Sequence, residues 1–412
     1  TSEMQAVCEK KAQMAKQIEA FAGNQPQGKG RVEVFRGRAE FLSPRRIKIV
    51  HPKGGNEEIE ACNVLIASGS TPRQLPDIKV DQKRILDSDG VLNLESFPPR
   101  LMIIGAGIVG CEYATIFSYY RQTKVYLIDR AERVLPYEDP DVSDFVDGNL
   151  TKKGVDIIHS AQLSSIRELP DRLQVGLSFA DGQEQTYEVE ALLLSVGRTP
   201  LSTDLGLELA GIKTDARGII QTDEFCCAGG SVYAAGDVSN YPNLVSIAEL
   251  EGRQAVRHMF GLNPLPFNYD TMATVMFFSP PVAAVGLNEQ QCQRKKLPYQ
   301  AGLYSFALLN RAIAMRAPHG FVKIIASDDE QKRILGMRAA GPQVSAMIMA
   351  VAVLIDQAKA FTELAGSIYP HPTMAEAIQE CLRLLRGDPT YKPDVFPEYL
   401  KVKRWNSEKG YW

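Results

Sequence analysis

The chain has 412 residues, which at roughly 150 per domain allows two to four domains, each long enough to bury a core. Hydrophobic residues at 45 % and charged residues at 23 % exclude a disordered or collagen-like chain. A net charge of −3, with no long run of either sign, leaves no electrostatic footprint for nucleic acid or an anionic membrane.

No stretch approaches the about 20 apolar residues of a membrane span, and no signal-like start is visible. The 7 cysteines include no C-x-x-C or C-x4-C pair, so neither a disulfide framework nor a zinc site is expected. The vicinal Cys226 and Cys227 receive no role, because adjacent cysteines meet disulfide geometry poorly. The 5 histidines form no metal-ligand pattern, and no metal is expected. This balance fits a small-molecule enzyme of a reducing, cytoplasmic compartment.

Met4, Val7, Cys8, Met14, Ile18 and Phe21 recur with helical periodicity, predicting an opening helix. After a Gly/Gln/Pro-rich break, RVEVFRGRAEFL and RRIKIVHP alternate as antiparallel strands, and NVLIA (63–67) reads as a buried strand ending in a Ser-Gly-Ser-Thr-Pro turn. From 100 to 200 the apolar runs RLMIIGAGIVG, KVYLIDR, VDIIHS and ALLLSVGRTP alternate with helical stretches, predicting a parallel, doubly wound sheet. SVYAAGDV (231–238) is a further buried strand before a helix, AELEGRQAVRHMF. Residues from about 270 to 385 read as a separate α+β region with helices at 343–358 and 373–386. The Pro- and aromatic-rich tail, 388–412, reads as a segment that packs on a partner or frays.

Gly105, Gly107 and Gly110 form G-x-G-x-x-G immediately after the strand Leu101 to Ile104, with Ile108 and Val109 between the second and third glycines. The first glycine permits a tight turn, the second lets backbone approach a pyrophosphate, and the third lets helix and strand close together. Asp129 ends the next strand, where its carboxylate can accept hydrogen bonds from an adenosine ribose and repel a 2′-phosphate. NAD is therefore expected, while Arg130 and Arg133 keep NADP open.

With these residues the sequence resembles the two-dinucleotide-fold flavoprotein disulfide reductases, particularly dihydrolipoamide dehydrogenases and soluble pyridine nucleotide transhydrogenases. The likeness rests on IASGSTP (66–72), GAGIVGCEYA (105–114), SVGRTP (195–200) with VYAAGDV (232–238), and HPTMAEA (371–377), in the family's order. It implies an α/β chain with two Rossmann-like domains, the first incomplete, and a C-terminal α+β dimerisation domain. The implied divisions are 1–95 and 201–268 for the FAD domain, 96–200 for the NAD domain, 269–387 for dimerisation and 388–412 for the tail.

The resemblance also implies cofactors FAD and NAD and a homodimer acting on a small-molecule or disulfide substrate. Ser68, Gly69, Gly236 and Asp237 would hold FAD, with Asp237 on the ribityl chain, and Leu244 and Val245 would approach the isoalloxazine. Gly197 and Glu112 would lie on the nicotinamide side. His371 would exchange protons with a redox thiol while Glu376 orients it, although Thr373-Met374-Ala375-Glu376 also reads as a capping box.

These relatives begin with their own G-x-G-x-x-G and a C-x4-C redox pair that this sequence does not contain. Three readings stay open. The chain is a truncated FAD enzyme passing hydride between nicotinamide and flavin, of dehydrogenase or transhydrogenase type. Alternatively, it is a non-catalytic NAD(H)-binding dimer. In the third reading, another polypeptide supplies the FAD segment.

Overall fold

The computed structural model describes residues 33–239, 243–264, 268–358 and 360–411, with short helical pieces at 9–10, 13–14 and 16–17. Met14 falls in one of those pieces. Met4, Val7, Cys8, Ile18 and Phe21 of the expected opening helix lie outside the described residues. The chain forms two compact units. One comprises Thr1–Lys79, Asp89–Ser96 and Gly197–Phe267, and the other Val80–Ser88, Phe97–Val196 and Asn268–Trp412.

In the first unit, strands Arg38–Phe41, Arg46–Val50 and Asn56–Glu60 make an antiparallel sheet. Ile47 and Ile49 point inward while Arg46 and Lys48 point out, the two-residue period of a half-buried strand. Val64–Ile66 runs parallel to Val232–Ala234, which pairs antiparallel with Cys227–Gly229. The expected long strand at 231–238 stops at Ala234, because Gly236–Val238 turns into a 3-10 helix before the helix Val245–Met259. Ser70–Pro72 pairs antiparallel with Arg198–Pro200.

The second unit carries the doubly wound sheet. Its five parallel strands run in the order Ile85–Leu86, Ala191–Leu194, Arg100–Ile104, Lys124–Ile128, Asp156–Ile158. Leu101, Met102 and Ile103 are fully buried, as a central parallel strand covered on both faces requires, and each such side chain contributes about 1.5–3 kcal/mol. Helices Ile108–Tyr119 and Pro140–Lys152 follow the second and third of the sheet's strands in chain order that open its crossovers. Residues between 161 and 189 form a three-stranded antiparallel meander.

The same unit contains a seven-stranded antiparallel sheet. Thr274–Met276, Val282–Gly286, Ile334–Ala340, Phe321–Ser327, Tyr299–Ser305, Leu400–Asn406 and Gly410–Tyr411 lie in that order. Helices Val344–Asp356 and Glu376–Arg386 pack on it. Val344, Met347, Ile348 and Val351 face the core, whereas Ala346, Met349, Ala350 and Val353 form an exposed apolar stripe one helical face away.

Part of the tail is built into the sheet. Leu400–Asn406 pairs along its length with Tyr299–Ser305, Leu400 enters the core, and Trp405 stacks on Tyr299 at 5.8 Å. The alternation of Leu400 and Val402 with lysines is a strand pattern that the aromatic composition obscured. Among the described residues no helix is long and apolar enough to cross a membrane.

Candidate functional site

The glycine-rich turn is built by close approach. Gly105 adopts φ +101°, and a methyl group on it would lie 2.5 Å from the Ser195 carbonyl oxygen, so only glycine fits. Gly110 lies against the Gly105 carbonyl. Gly107 is different in kind. It caps the helix Ile108–Tyr119 with φ −74°, open to any residue, and a methyl group there would meet nothing within 4 Å. Sterics within the fold do not require this glycine, whereas a phosphate approaching the helix N-terminus does. Ile108 and Val109 occupy the first turn and remain over a third exposed, at 36 % and 39 %.

Asp129 sits beside this turn. Its carboxylate accepts the Ala106 N–H at 2.6 Å and the Ala131 N–H at 2.8 Å, which fixes the strand end against the glycine-rich loop. The second of these bonds is a local Asx-type turn, legible in the sequence as an aspartate at a strand end, whereas the first joins residues far apart in the chain. Leu135 N–H then donates to the Ala106 carbonyl at 2.9 Å, tying the following loop to the same turn.

Glu112 lies one turn into the helix, and its Oε1 accepts the Phe277 N–H at 2.9 Å. Burial pushes the Glu112 carboxyl above the ordinary carboxylate range, against the opposing pull of that amide. Nothing in the local sequence announces the Phe277 contact.

His371 and Glu376 come together at the entrance to Glu376–Arg386. His371 Nδ1 lies 2.8 Å from Glu376 Oε1, while Glu376 Oε2 accepts the Thr373 N–H at 2.7 Å. One carboxylate thus holds both the imidazole and the Thr373 amide. The Thr373 hydroxyl completes no reciprocal cap, since it donates to the Pro370 carbonyl, and the helix begins at Glu376 rather than Thr373. The imidazole remains well exposed, at 62 % of its side-chain surface.

The remaining candidates lie in the first unit. Asp237 Oδ2 accepts the Ser70 hydroxyl at 2.5 Å and lies 3.7 Å from Arg198 Nε. Arg198 in turn donates to Ser70 Oγ and the Ser70 carbonyl, a clamp that sequence reasoning missed. Gly236 N–H donates to the buried Glu251 at 2.6 Å, which fixes the turn that presents Asp237. Ser68 donates to the Leu201 carbonyl, Gly69 adopts φ +73°, and the Gly197 carbonyl accepts the Arg73 N–H at 3.0 Å. Leu244 caps Val245–Met259, and Val245 is 87 % exposed in its first turn.

Residues 3–252 match the family described as pyridine nucleotide-disulphide oxidoreductase, and residues 272–382 match its dimerisation domain. Dihydrolipoyl dehydrogenase of Bacillus subtilis is 34 % identical over 368 residues, covering 85 % of this chain and 76 % of that protein. Dihydrolipoyl dehydrogenase 3 of Haloarcula marismortui is 30 % identical over 362 residues, covering 86 % and 75 %. Among solved structures, LpdA of Mycobacterium tuberculosis superposes with a TM-score of 0.78 at 28 % identity, covering 86 % of this chain and 77 % of that one. The HOCl-induced flavoprotein disulfide reductase RclA of Escherichia coli gives a TM-score of 0.81 at 27 % identity, covering 93 % and 85 %. With both matches in succession and relatives at 30 % identity or more along most of their length, the chain belongs to the pyridine nucleotide-disulphide oxidoreductase family and is dihydrolipoyl dehydrogenase-like.

Proposed function

We propose that the chain serves hydride transfer between NAD(H) and FAD, coupled to a dithiol or disulfide substrate of the kind a dihydrolipoyl dehydrogenase handles. The observation that carries the nucleotide part is the open space over Gly107 beside the fixed carboxylate of Asp129. In that space the first-turn amides and the positive end of the helix favour a pyrophosphate. Asp129 retains lone pairs for ribose hydroxyls and disfavours a 2′-phosphate, which makes NAD the preferred nucleotide. Arg130 and Arg133 are the residues that would hold a 2′-phosphate if NADP entered. Glu112 borders the nicotinamide end, its partly buried carboxyl held by the Phe277 amide.

Ser68, Gly69, Gly236 and Asp237 fit a flavin nucleotide. The Ser70–Arg198 clamp leaves the Asp237 side chain one quarter exposed and fixed in direction, as a hydroxyl-binding carboxylate needs to be. Leu244 and Val245 offer backbone and an exposed apolar side chain at a helix start, and Gly197 offers a backbone free of a side chain. When bound, FAD and NAD supply the redox chemistry, and the protein supplies position and electrostatics.

The His371–Glu376 pair favours a thiol-linked substrate over a second nicotinamide, because an exposed imidazole held by a carboxylate is suited to moving a proton to and from sulfur. The apolar stripe Ala346, Met349, Ala350 and Val353 supports a homodimer through the dimerisation region.

Anaerobic titration with NADH of the full chain, after incubation with FAD and removal of the excess, tests this reading. Retained flavin whose visible absorption bleaches supports it. Protein that binds NADH but retains no flavin, or whose flavin does not bleach, returns the non-catalytic NAD(H)-binding reading.

A further inference from the structure

The C-terminal strand lies outside the part of the chain matched by the dimerisation family, yet it reaches into the most deeply buried charge cluster among the described residues. Lys323, on the apolar strand Phe321–Ser327, is 1 % exposed. Its ammonium contacts Asp139 at 3.0 Å, Asp141 and Glu289. Lys403 of the tail lies 2.8 Å from Glu289 Oε1. Tyr299 and Tyr411 donate their hydroxyls to Glu289 Oε2 at 2.9 and 3.3 Å.

From Glu289 the contacts run on to the glycine-rich turn. The Glu289 N–H donates to Asp139 at 3.0 Å, Asn288 Nδ2 to the Tyr137 carbonyl at 2.8 Å, and Gln290 Nε2 to the Glu138 carbonyl at 2.7 Å. These bonds hold the loop 135–139. That loop grips the Ala106 carbonyl through Leu135 N–H, and the Ala106 N–H grips Asp129.

We infer that Lys403, with Tyr411, is a positioning residue for the dinucleotide site, acting through Glu289 and the loop 135–139. The inference rests on the nucleotide reading of Gly105–Gly110 given above. A tail strand that fixes Glu289 also fixes the register of the segment 288–290, and so the loop that carries the Ala106 contact. With Lys403 removed, Glu289 keeps the tyrosine hydroxyls but only one cation among the described residues, Lys323, which two aspartates already engage, and the segment gains freedom that nucleotide binding must then remove.

The test is NADH binding to the full chain, followed by quenching of protein fluorescence well below the melting temperature. Lys403→Ala is expected to raise the NADH Kd roughly three- to tenfold and Tyr411→Phe about twofold, within the range of long-range coupling through packed networks. Lys403→Arg restores most of the affinity. Arg404→Ala, exposed on the opposite face of the same strand, leaves it unchanged. In a Glu289→Gln background, Lys403→Ala adds no further loss, which a merely destabilising change would not reproduce.

If Lys403→Ala fails to fold, Tyr411→Phe decides, because it deletes a single hydroxyl. Wild-type binding with unchanged affinity in Tyr411→Phe and in any folded Lys403→Ala overturns the inference. So do losses that simply add in the Glu289→Gln background. Failure of the wild-type chain to bind NADH instead removes the nucleotide reading itself, and this inference with it.

Discussion

Gly110 packs so closely under Gly105 that a methyl group on its Cα would come within 1.8 Å of the Gly105 carbonyl oxygen. Backbone faces backbone here, so no side chain can yield. Gly110→Ala is expected to push the helix Ile108–Tyr119 off the strand Arg100–Ile104 and to lower stability by about 1–3 kcal/mol, the usual range for overpacking a tight contact. Thermal unfolding read by circular dichroism checks this, and an unchanged melting temperature would contradict the packing described.

Asp129 joins two backbone amides and is the proposed acceptor for the ribose. Asp129→Ala removes charge-assisted hydrogen bonds of about 1.5–3 kcal/mol, so NADH affinity is expected to fall roughly tenfold or more. NADPH affinity should fall less, because the same change removes a repulsion toward the 2′-phosphate. Parallel titrations with both nucleotides read the difference. Equal losses would count against the ribose contact.

The roles proposed for His371 and Glu376 separate proton transfer from hydride transfer. In FAD-loaded protein supplied with the segment that carries the C-x4-C redox pair, His371→Gln is expected to lower turnover of a dithiol substrate about 10²–10⁴-fold, the range for loss of a general acid/base. NADH oxidation by a small artificial electron acceptor should stay near the wild-type rate. Glu376→Ala should reduce dithiol turnover and also cost about 1 kcal/mol of stability, because Thr373 N–H loses its acceptor. A parallel fall in both reactions for His371→Gln would place the histidine outside the thiol step.

The buried charge cluster predicts acid sensitivity. Burial works against the Asp141 carboxylate, but the charge and hydrogen bond of Lys323, with Lys403 and Lys401 beyond, hold its pKa below the ordinary 3.8. A carboxylate whose folded pKa is depressed stabilises the fold above its unfolded value, and that contribution disappears as pH falls through the folded value. Stability should therefore fall steeply below about pH 4. Asp141→Asn should flatten that fall and lower stability at neutral pH. Lys323→Ala should cost about 3–5 kcal/mol, because Asp139 and Glu289 stay buried without their ammonium. Denaturant melts across pH measure all three effects.

The parallel sheet was legible because its central strands are buried on both faces and read as unbroken apolar runs, as in Leu101 to Ile104. The glycine-rich turn was legible for a related reason, since its spacing is dictated by the close approach that the structure displays. Contacts made across long separations were not legible. Phe277 N–H on Glu112 and Arg198 on Ser70 involve backbone groups or ordinary polar residues whose local sequence carries no mark of the partner.

Lys323 did carry a signal, a single lysine within the apolar run FVKII, which requires a buried counter-charge. The strand Leu400–Asn406 was not legible because the aromatic and proline content of the tail hid its alternation. The helix expected from Thr373 begins three residues later, where Glu376 turns back to the Thr373 amide.

The most direct test of the central claim is NADH binding to Gly107→Ala. Gly107 has an unstrained φ of −74°, and the added methyl group would meet no protein atom within 4 Å, so the melting temperature should stay at the wild-type value. The methyl group would nonetheless stand where a pyrophosphate must approach the helix N-terminus, and NADH affinity should drop by about tenfold or more. Retained stability with lost affinity is the result predicted here, whereas retained stability with unchanged NADH affinity would contradict a dinucleotide site at this turn.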